Sequence, residues 1–202
     1  MLRIQVQKYT ERKFTIISRE LESLKGMILD NGCGEGISRN YMKNVAYVGI
    51  DLKFHKCQKK RENFVVASAT KLPFINECFD AILFLDVIEH INNSKDLESL
   101  TEVYRTLKYD GRMIISTPNI ETVFHGESFL KKDHVNCMSS YILKNKVVTS
   151  NLKIIRRIPG DIFIIPPYAW LLKIPLRIRR LLARIHSRFD KYQIYEIRKE
   201  VE

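Results

Sequence analysis

No run of apolar residues in this chain approaches the roughly 18 that a membrane-spanning helix needs. Residues 1–25 alternate charged with apolar side chains and hold no apolar h-region, so no secretory signal is visible. The cysteines, Cys33, Cys57, Cys78 and Cys137, lack any C-x-x-C spacing. That argues against a structural zinc site and reads as free thiols in a reducing, cytoplasmic setting. Acidic residues are in deficit, with 34 Lys and Arg against 23 Asp and Glu, for a net charge of +11. The surplus is uneven: from Leu152 onward there are 12 basic residues against 5 acidic ones. A local basic surface follows, rather than a generally basic protein. The one glycine-rich turn has no lysine followed by Ser or Thr, which excludes a P-loop, and it lacks the G-x-G-x-x-G spacing of a pyrophosphate site.

What is present suits a single domain. A length of 202 residues, 45% of them hydrophobic and 28% charged, can bury a substantial core without dividing. The chain is organised around Ile28-Leu29-Asp30-Asn31-Gly32-Cys33-Gly34-Glu35-Gly36. A short buried strand, Met27 to Leu29, runs into glycines at alternate positions, and helix-compatible residues follow from Ile37 to Lys43. Glycine there leaves no Cβ between the peptide groups and a ligand above them. Such a turn ends a strand where nucleotide-like ligands bind in an open α/β sheet. A second strand, Ala46 to Asp51, ends in an acid about twenty residues on, the offset at which a carboxylate accepts hydrogen bonds from ribose hydroxyls.

Four blocks in order, Asp30-x-Gly32-x-Gly34-x-Gly36, Val48-Gly49-Ile50-Asp51, Ala69-Thr70-Lys71-Leu72-Pro73-Phe74, and Phe79-Asp80-Ala81-Ile82 through Glu89-His90, resemble the class I S-adenosylmethionine-dependent methyltransferases, in the type 11-like subgroup. The resemblance covers roughly residues 25 to 120. It implies a doubly wound, mostly parallel seven-stranded sheet, the Rossmann-like methyltransferase fold, with an antiparallel C-terminal edge strand. It also implies S-adenosylmethionine as cofactor, held by Asp30, Asn31, Gly32, Cys33, Gly34, Gly36, Asp51, Leu52, Ser68, Ala69, Thr70, Leu85 and Asp86. In the family an Asp after the third strand bonds the adenine amino group. Ser68 stands there in this chain, which leaves the Ala69 amide as the adenine partner.

Along the chain, Gln5 to Leu24 reads as a helix with Val6, Tyr9, Phe14, Ile17, Leu21 and Leu24 on one face, covering one side of the nucleotide pocket. Asn63 to Ala67 is a third strand. Phe79 to Asp86 is a continuous apolar run, the mark of a central strand covered on both faces. Asn93 or Ser94 is the expected cap of a helix through Leu97, Leu100, Val103, Tyr104 and Leu107. Lys108 to Gly111 reads as a turn, and Arg112 to Thr117 as a fifth strand. The β-α-β-α-β order calls for a doubly wound parallel sheet. Residues 119 to 137 form a long polar connection containing His125 and His134, which in the family helps close the acceptor pocket. A helix over Ser139–Ser150 and strands over Leu152–Ile158 and Tyr192–Arg198 complete the domain, which spans residues 1–202.

An inserted basic amphipathic helix, at about 168–189, separates those last two strands. Leu171, Ile174, Ile178, Leu181, Leu182, Ile185 and Phe189 recur at steps of three and four, opposite Lys173, Arg177, Arg180, Arg184 and Arg188. It either packs on the domain with a solvated basic face, rests peripherally on anionic lipid at the inner membrane surface, or meets nucleic-acid phosphates.

Methyl transfer is an in-line displacement from an activated sulfonium, so positioning is the enzyme's main contribution. Glu89, His90 and His134 are the candidate catalytic residues, with imidazole suited to proton transfer near neutral pH. The expected function is methyl transfer to an O, N or C acceptor, a small or lipid-like molecule being favoured. Two alternatives stay open. Asp86-x-x-Glu89-His90 with His134 resembles the pattern with which small-RNA 2′-O-methyltransferases hold a divalent metal, and also that of the ubiquinone-pathway O-methyltransferases. The other is a non-catalytic scaffold that acts through its basic helix.

Overall fold

The computed structural model describes residues 13–54, 63–121, 133–159, 175, 177–178 and 192–199. Within them the elements are α1 (13–22), β1 (Met27–Asn31), a 3₁₀ turn (Ile37–Tyr41), β2 (Ala46–Asp51), β3 (Phe64–Val66), β4 (Phe79–Leu85), a second 3₁₀ turn (Ile88–His90), α2 (Asp96–Thr106), β5 (Leu107–Pro118), α3 (Ser140–Thr149), β6 (Leu152–Arg157) and β7 (Tyr192–Lys199). The seven strands form a single sheet in the order β3-β2-β1-β4-β5-β7-β6. The first five run parallel. β7 is antiparallel to both β5 and β6, so the last two strands form an antiparallel pair at one side.

Alternation along each central strand sends consecutive side chains to opposite faces, and here both faces are covered. Leu29, Ile82, Phe84 and Ile115 join Leu100 and Val103 of α2 and Leu143 and Val147 of α3. Ile28, Ala81, Leu83, Leu85 and Ile114 meet Phe14, Ile17, Leu21 and Leu24 of the α1 region. The apolar face read for the first helix is therefore buried where it is described, while Val6 and Tyr9 lie outside the described residues. So do Cys57, His125 and all of the basic insertion except Pro175, Arg177 and Ile178, of which 177–178 are helical and exposed.

Four local expectations change. The segment after Gly36 is a single 3₁₀ turn ending at Tyr41, because Met42 is extended and Asn44 left-handed (φ 55°), which turns the chain directly into β2. Neither Asn93 nor Ser94 caps α2. Asn92 Oδ1 accepts from the Ser94 amide at 3.2 Å, a local turn that competes with capping, and the helix starts after Lys95 without a side-chain cap. Leu97 is exposed because the buried stripe runs through Asp96, Leu100 and Val103. Lys108–Gly111 lies within β5 yet leaves the ladder: Phe79 pairs with Leu107 and Ala81 with Arg112, a bulge passing through left-handed Asp110.

Candidate active site

The glycine turn closes the carboxyl end of β1, at the point where the strand order reverses. The Gly32 and Cys33 amides both donate to the Ile50 carbonyl, at 2.9 and 2.8 Å, which binds the turn to β2. Gly32 (φ 82°) and Gly34 (φ 51°) need glycine for different reasons. A Cβ on Gly32 would collide with Val87, whereas one on Gly34 would meet nothing within 4 Å. Gly32 is thus a packing glycine pressed against the exit of β4, and Gly34 opens outward as the floor of a cradle. The Gly34 amide donates to Asp51 Oδ2 at 2.9 Å, and Asp51 Oδ1 accepts from the Lys53 amide at 3.2 Å. The carboxylate is held at the rim, beside exposed Leu52.

Asp30 and Asn31 lie beneath the turn. Buried Asp30 accepts from the Ser38 hydroxyl and, at 2.8 Å, from Tyr47 Oη, so it ties the turn to the 3₁₀ segment and to β2. Burial pushes its pKa up against the opposing pull of those hydrogen bonds. Asn31 is fully buried, and neither amide atom has a hydrogen-bond partner among the described residues. After β3, the Ala67 amide donates to the Asp51 carbonyl at 3.0 Å and brings the next turn to the same rim. There Ser68 Oγ accepts from the Thr70 amide at 3.2 Å and lies 2.9 Å from Thr70 Oγ1. The Ser68 hydroxyl is thus engaged in holding its own turn.

At the exit of β4, Leu85 packs toward α1 and Asp86 takes a left-handed backbone (φ 57°). Asp86 accepts from Lys13 Nζ at 2.8 Å and from Ser116 Oγ at 2.6 Å. Burial raises its pKa, but the Lys13 charge and both hydrogen bonds outweigh burial and hold it below the usual carboxylate value. Glu89 is the opposite case. It is fully buried, and burial, followed by the charge of Asp86, lifts its pKa to about 8. Thr117 Oγ1 donates to Glu89 Oε2 at 3.2 Å, and Oε1 has no partner among the described residues. His90 Nδ1 lies 2.8 Å from the Asp133 carbonyl. A carbonyl can only accept, so Nδ1 carries a proton, which in the neutral ring leaves the lone pair on Nε2. The His90 and His134 rings meet edge to face, with centroids 4.8 Å apart.

One ligand atom each from Glu89, His90 and His134 falls within 4.8 Å of the other two. Of the four residues in the alternative metal reading, Asp86 is not in this group, its oxygens being bonded to Lys13 and Ser116. Lys13, Ser38, Tyr47 and Asn136, whose amide donates to the Glu89 carbonyl at 3.0 Å, escape a motif-based reading. For Lys13 a signal exists: it lies one helical turn before Ile17 on the apolar stripe. A cavity of about 520 Å³ opens at the opposite, amino-terminal end of the strands, lined by Lys25, Gly26, Asp80 and Lys108 among others. It holds none of these site residues.

A glycine cradle with a rim carboxylate, touching the exit of β4 at a strand-order reversal, agrees with the family comparison. Residues 29–115 match the family described as a methyltransferase domain. Over that stretch the chain resembles this family, and its strand order is that of the Rossmann-like methyltransferase fold. An uncharacterized protein of Methanocaldococcus jannaschii is 32% identical over 120 residues, 58% of this chain and 52% of that protein. A tRNA (carboxymethyluridine(34)-5-O)-methyltransferase of Arabidopsis thaliana is 28% identical over 110 residues, 52% of this chain and 27% of that protein. The chain thus spans about half the length, or less, of these two relatives. Burkholderia thailandensis 1,6-didemethyltoxoflavin-N1-methyltransferase, solved with S-adenosylhomocysteine, shares the fold of the methyltransferase domain at a TM-score of 0.65 and 15% identity, covering 98% of this chain and 83% of that one.

Proposed function

We propose that this protein is an S-adenosylmethionine-dependent methyltransferase whose acceptor meets the cofactor at Glu89, His90 and His134. The observation that carries the reading is the outward-facing Gly34, hooked to Asp51 and joined through Gly32 and Val87 to the end of β4. Main chain without a side chain, beside a fixed carboxylate, suits a ribose and the group attached to it. When bound, the cofactor supplies an electrophilic methyl on a sulfonium. The chain's own residues orient the acceptor and manage its proton. Glu89 keeps its proton at neutral pH and acts as a hydrogen-bond donor, so proton removal falls to an imidazole with an available lone pair. That division suits an oxygen or nitrogen acceptor that loses a proton on methylation, on a small or lipid-like molecule.

Calorimetric titration with S-adenosylhomocysteine tests the cofactor reading. Gly34→Val is expected to abolish binding, by occupying the open space above the turn, and Asp51→Ala to weaken it by about tenfold, the scale of a lost hydrogen bond to a charged group. Unchanged titrations for both variants would sink the assignment. Transfer of label from methyl-labelled cofactor then identifies the acceptor.

A second reading has its own observation. The unpartnered, buried Glu89 Oε1 beside two imidazoles offers the mixed oxygen and nitrogen donors that suit manganese or zinc. A cation held there would polarise an acceptor hydroxyl, as the alternative of 2′-O-methylation of an RNA requires. Manganese titrated into the apo protein is expected to bind and to lose at least about tenfold in affinity in His134→Ala. Absence of binding removes this reading and leaves the first intact.

A further inference from the structure

Lys13 is 6% exposed, a depth at which an ammonium is found only when paired. It projects from the face of α1 that packs on the sheet. Its neighbour Phe14 stacks on Tyr41, just beyond the glycine turn, with ring centroids 5.5 Å apart. Its Nζ donates to Asp86 Oδ2 at 2.8 Å across 73 residues of sequence. The Asp86 end is fixed independently of Lys13: its amide donates to the Ser116 carbonyl at 2.9 Å, its other oxygen accepts from Ser116 Oγ, and its backbone is left-handed. The helix is therefore brought to Asp86, and not the reverse. The Lys13 charge also acts on Asp30 beneath the glycine turn and on Glu89 in the acceptor cluster. It stands between the two halves of the site.

A buried ion pair adds little net stability over apolar residues of the same volume, while removal of one partner strands the other charge. Conformational definition is what such a pair can supply. We propose that Lys13 is a positioning residue for methyl transfer: its clasp on Asp86 fixes α1 across the carboxyl ends of β1 and β4, so that the helix flanking the cofactor cradle and the strand end bearing the acceptor cluster adopt a single geometry. This inference rests on the methyltransferase reading above. Lys13 touches no reacting atom and acts through Asp86.

A double-mutant cycle on the full chain tests it, read as affinity for S-adenosylhomocysteine. Lys13→Met keeps the length of the side chain without the charge, and Asp86→Asn keeps a residue that tolerates positive φ. Each is expected to weaken binding by about tenfold, the cost of leaving one charge uncompensated. The double variant strands neither charge and is expected to lose about tenfold, not the hundredfold of independent sites. Lys13→Arg, which restores the cation, is expected to stay within about threefold of wild type. Unchanged affinity in Lys13→Met, or a hundredfold loss in the double variant, overturns the clasp. Should Lys13→Met fail to fold, amide hydrogen exchange of residues 13–22 in Asp86→Asn carries the test. The ligand is expected to slow exchange in wild type and not in the variant, and equal slowing in both overturns the proposal. Wild-type protein that binds no S-adenosylhomocysteine overturns the methyltransferase reading itself; wild-type binding with a flat cycle overturns only the role of Lys13.

Discussion

Glu89 and Asp86 are two carboxyls three residues apart with opposite preferences for a proton. Burial, then the neighbouring charge, raises Glu89 from 4.5 to about 8. Between those values the folded chain keeps a proton that the unfolded chain has released. Stability from this residue is therefore complete below the unfolded value and falls as pH rises toward about 8. Asp86, lowered by Lys13 and Ser116 against its burial, contributes stability above the ordinary Asp range that is lost only in acid. The two windows do not overlap, so a single substitution isolates one of them. In the presence of a chelator, the wild-type melting temperature is expected to decline from pH 5 to pH 8 more steeply than that of Glu89→Gln, which cannot titrate. Parallel slopes would remove Glu89 as the titrating group.

At the scale of elements, α2 and α3 are held to the Glu89–His134 cluster through a buried acid. Asp96, in the first turn of α2, accepts from Lys146 Nζ of α3 at 2.6 Å and from Asn136 Nδ2 at 2.8 Å. The Asn136 backbone N–H in turn donates to the Glu89 carbonyl. One carboxylate therefore fixes two helices and the segment that carries His134. Asp96→Ala leaves a largely buried lysine, which keeps its bond to Asn93 Oδ1, and the Asn136 side-chain amide without the carboxylate, and is expected to cost about 3 kcal/mol in urea unfolding. Asp96→Asn should recover part of that loss, because it still accepts from Lys146. A loss below about 1 kcal/mol, the scale of an exposed pair, would show that the network does not carry this load. The elements themselves were legible in the sequence, since buried strands print as apolar runs and amphipathic helices as stripes. Their ends were less so: Asn93 and Ser94 carry the chemistry of a cap, but Asn92 forms a tighter local turn first.

For the molecule as a whole, the sheet and the glycine turn with its rim acid could be read in advance because both depend on local signals: strand periodicity, glycine spacing and an acid at a fixed offset. Glu89 and His90 are adjacent in sequence, and His134 was indicated by pattern resemblance. The Lys13 clasp spans 73 residues and carries no motif, so only the fold reveals it. The individual duties of the glycines were equally hidden: spacing marks the turn, while collision with Val87 separates the packing glycine at 32 from the open one at 34.

The strand order has a further consequence. β5 and β6 make no ladder with each other, and β7, which follows β6 only after residues 158–191, is the strand that bridges them. Until it arrives, the ladder groups of β5 from Arg112 to Pro118 have no partner on that side. These are the residues that steady Asp86 and Glu89 through Ser116 and Thr117. Completion of this cluster is thus tied to a slow kind of pairing, one between segments far apart in sequence. Newly made protein should pass through a stage in which a sticky, half-finished sheet margin is exposed to chaperones and to its own siblings.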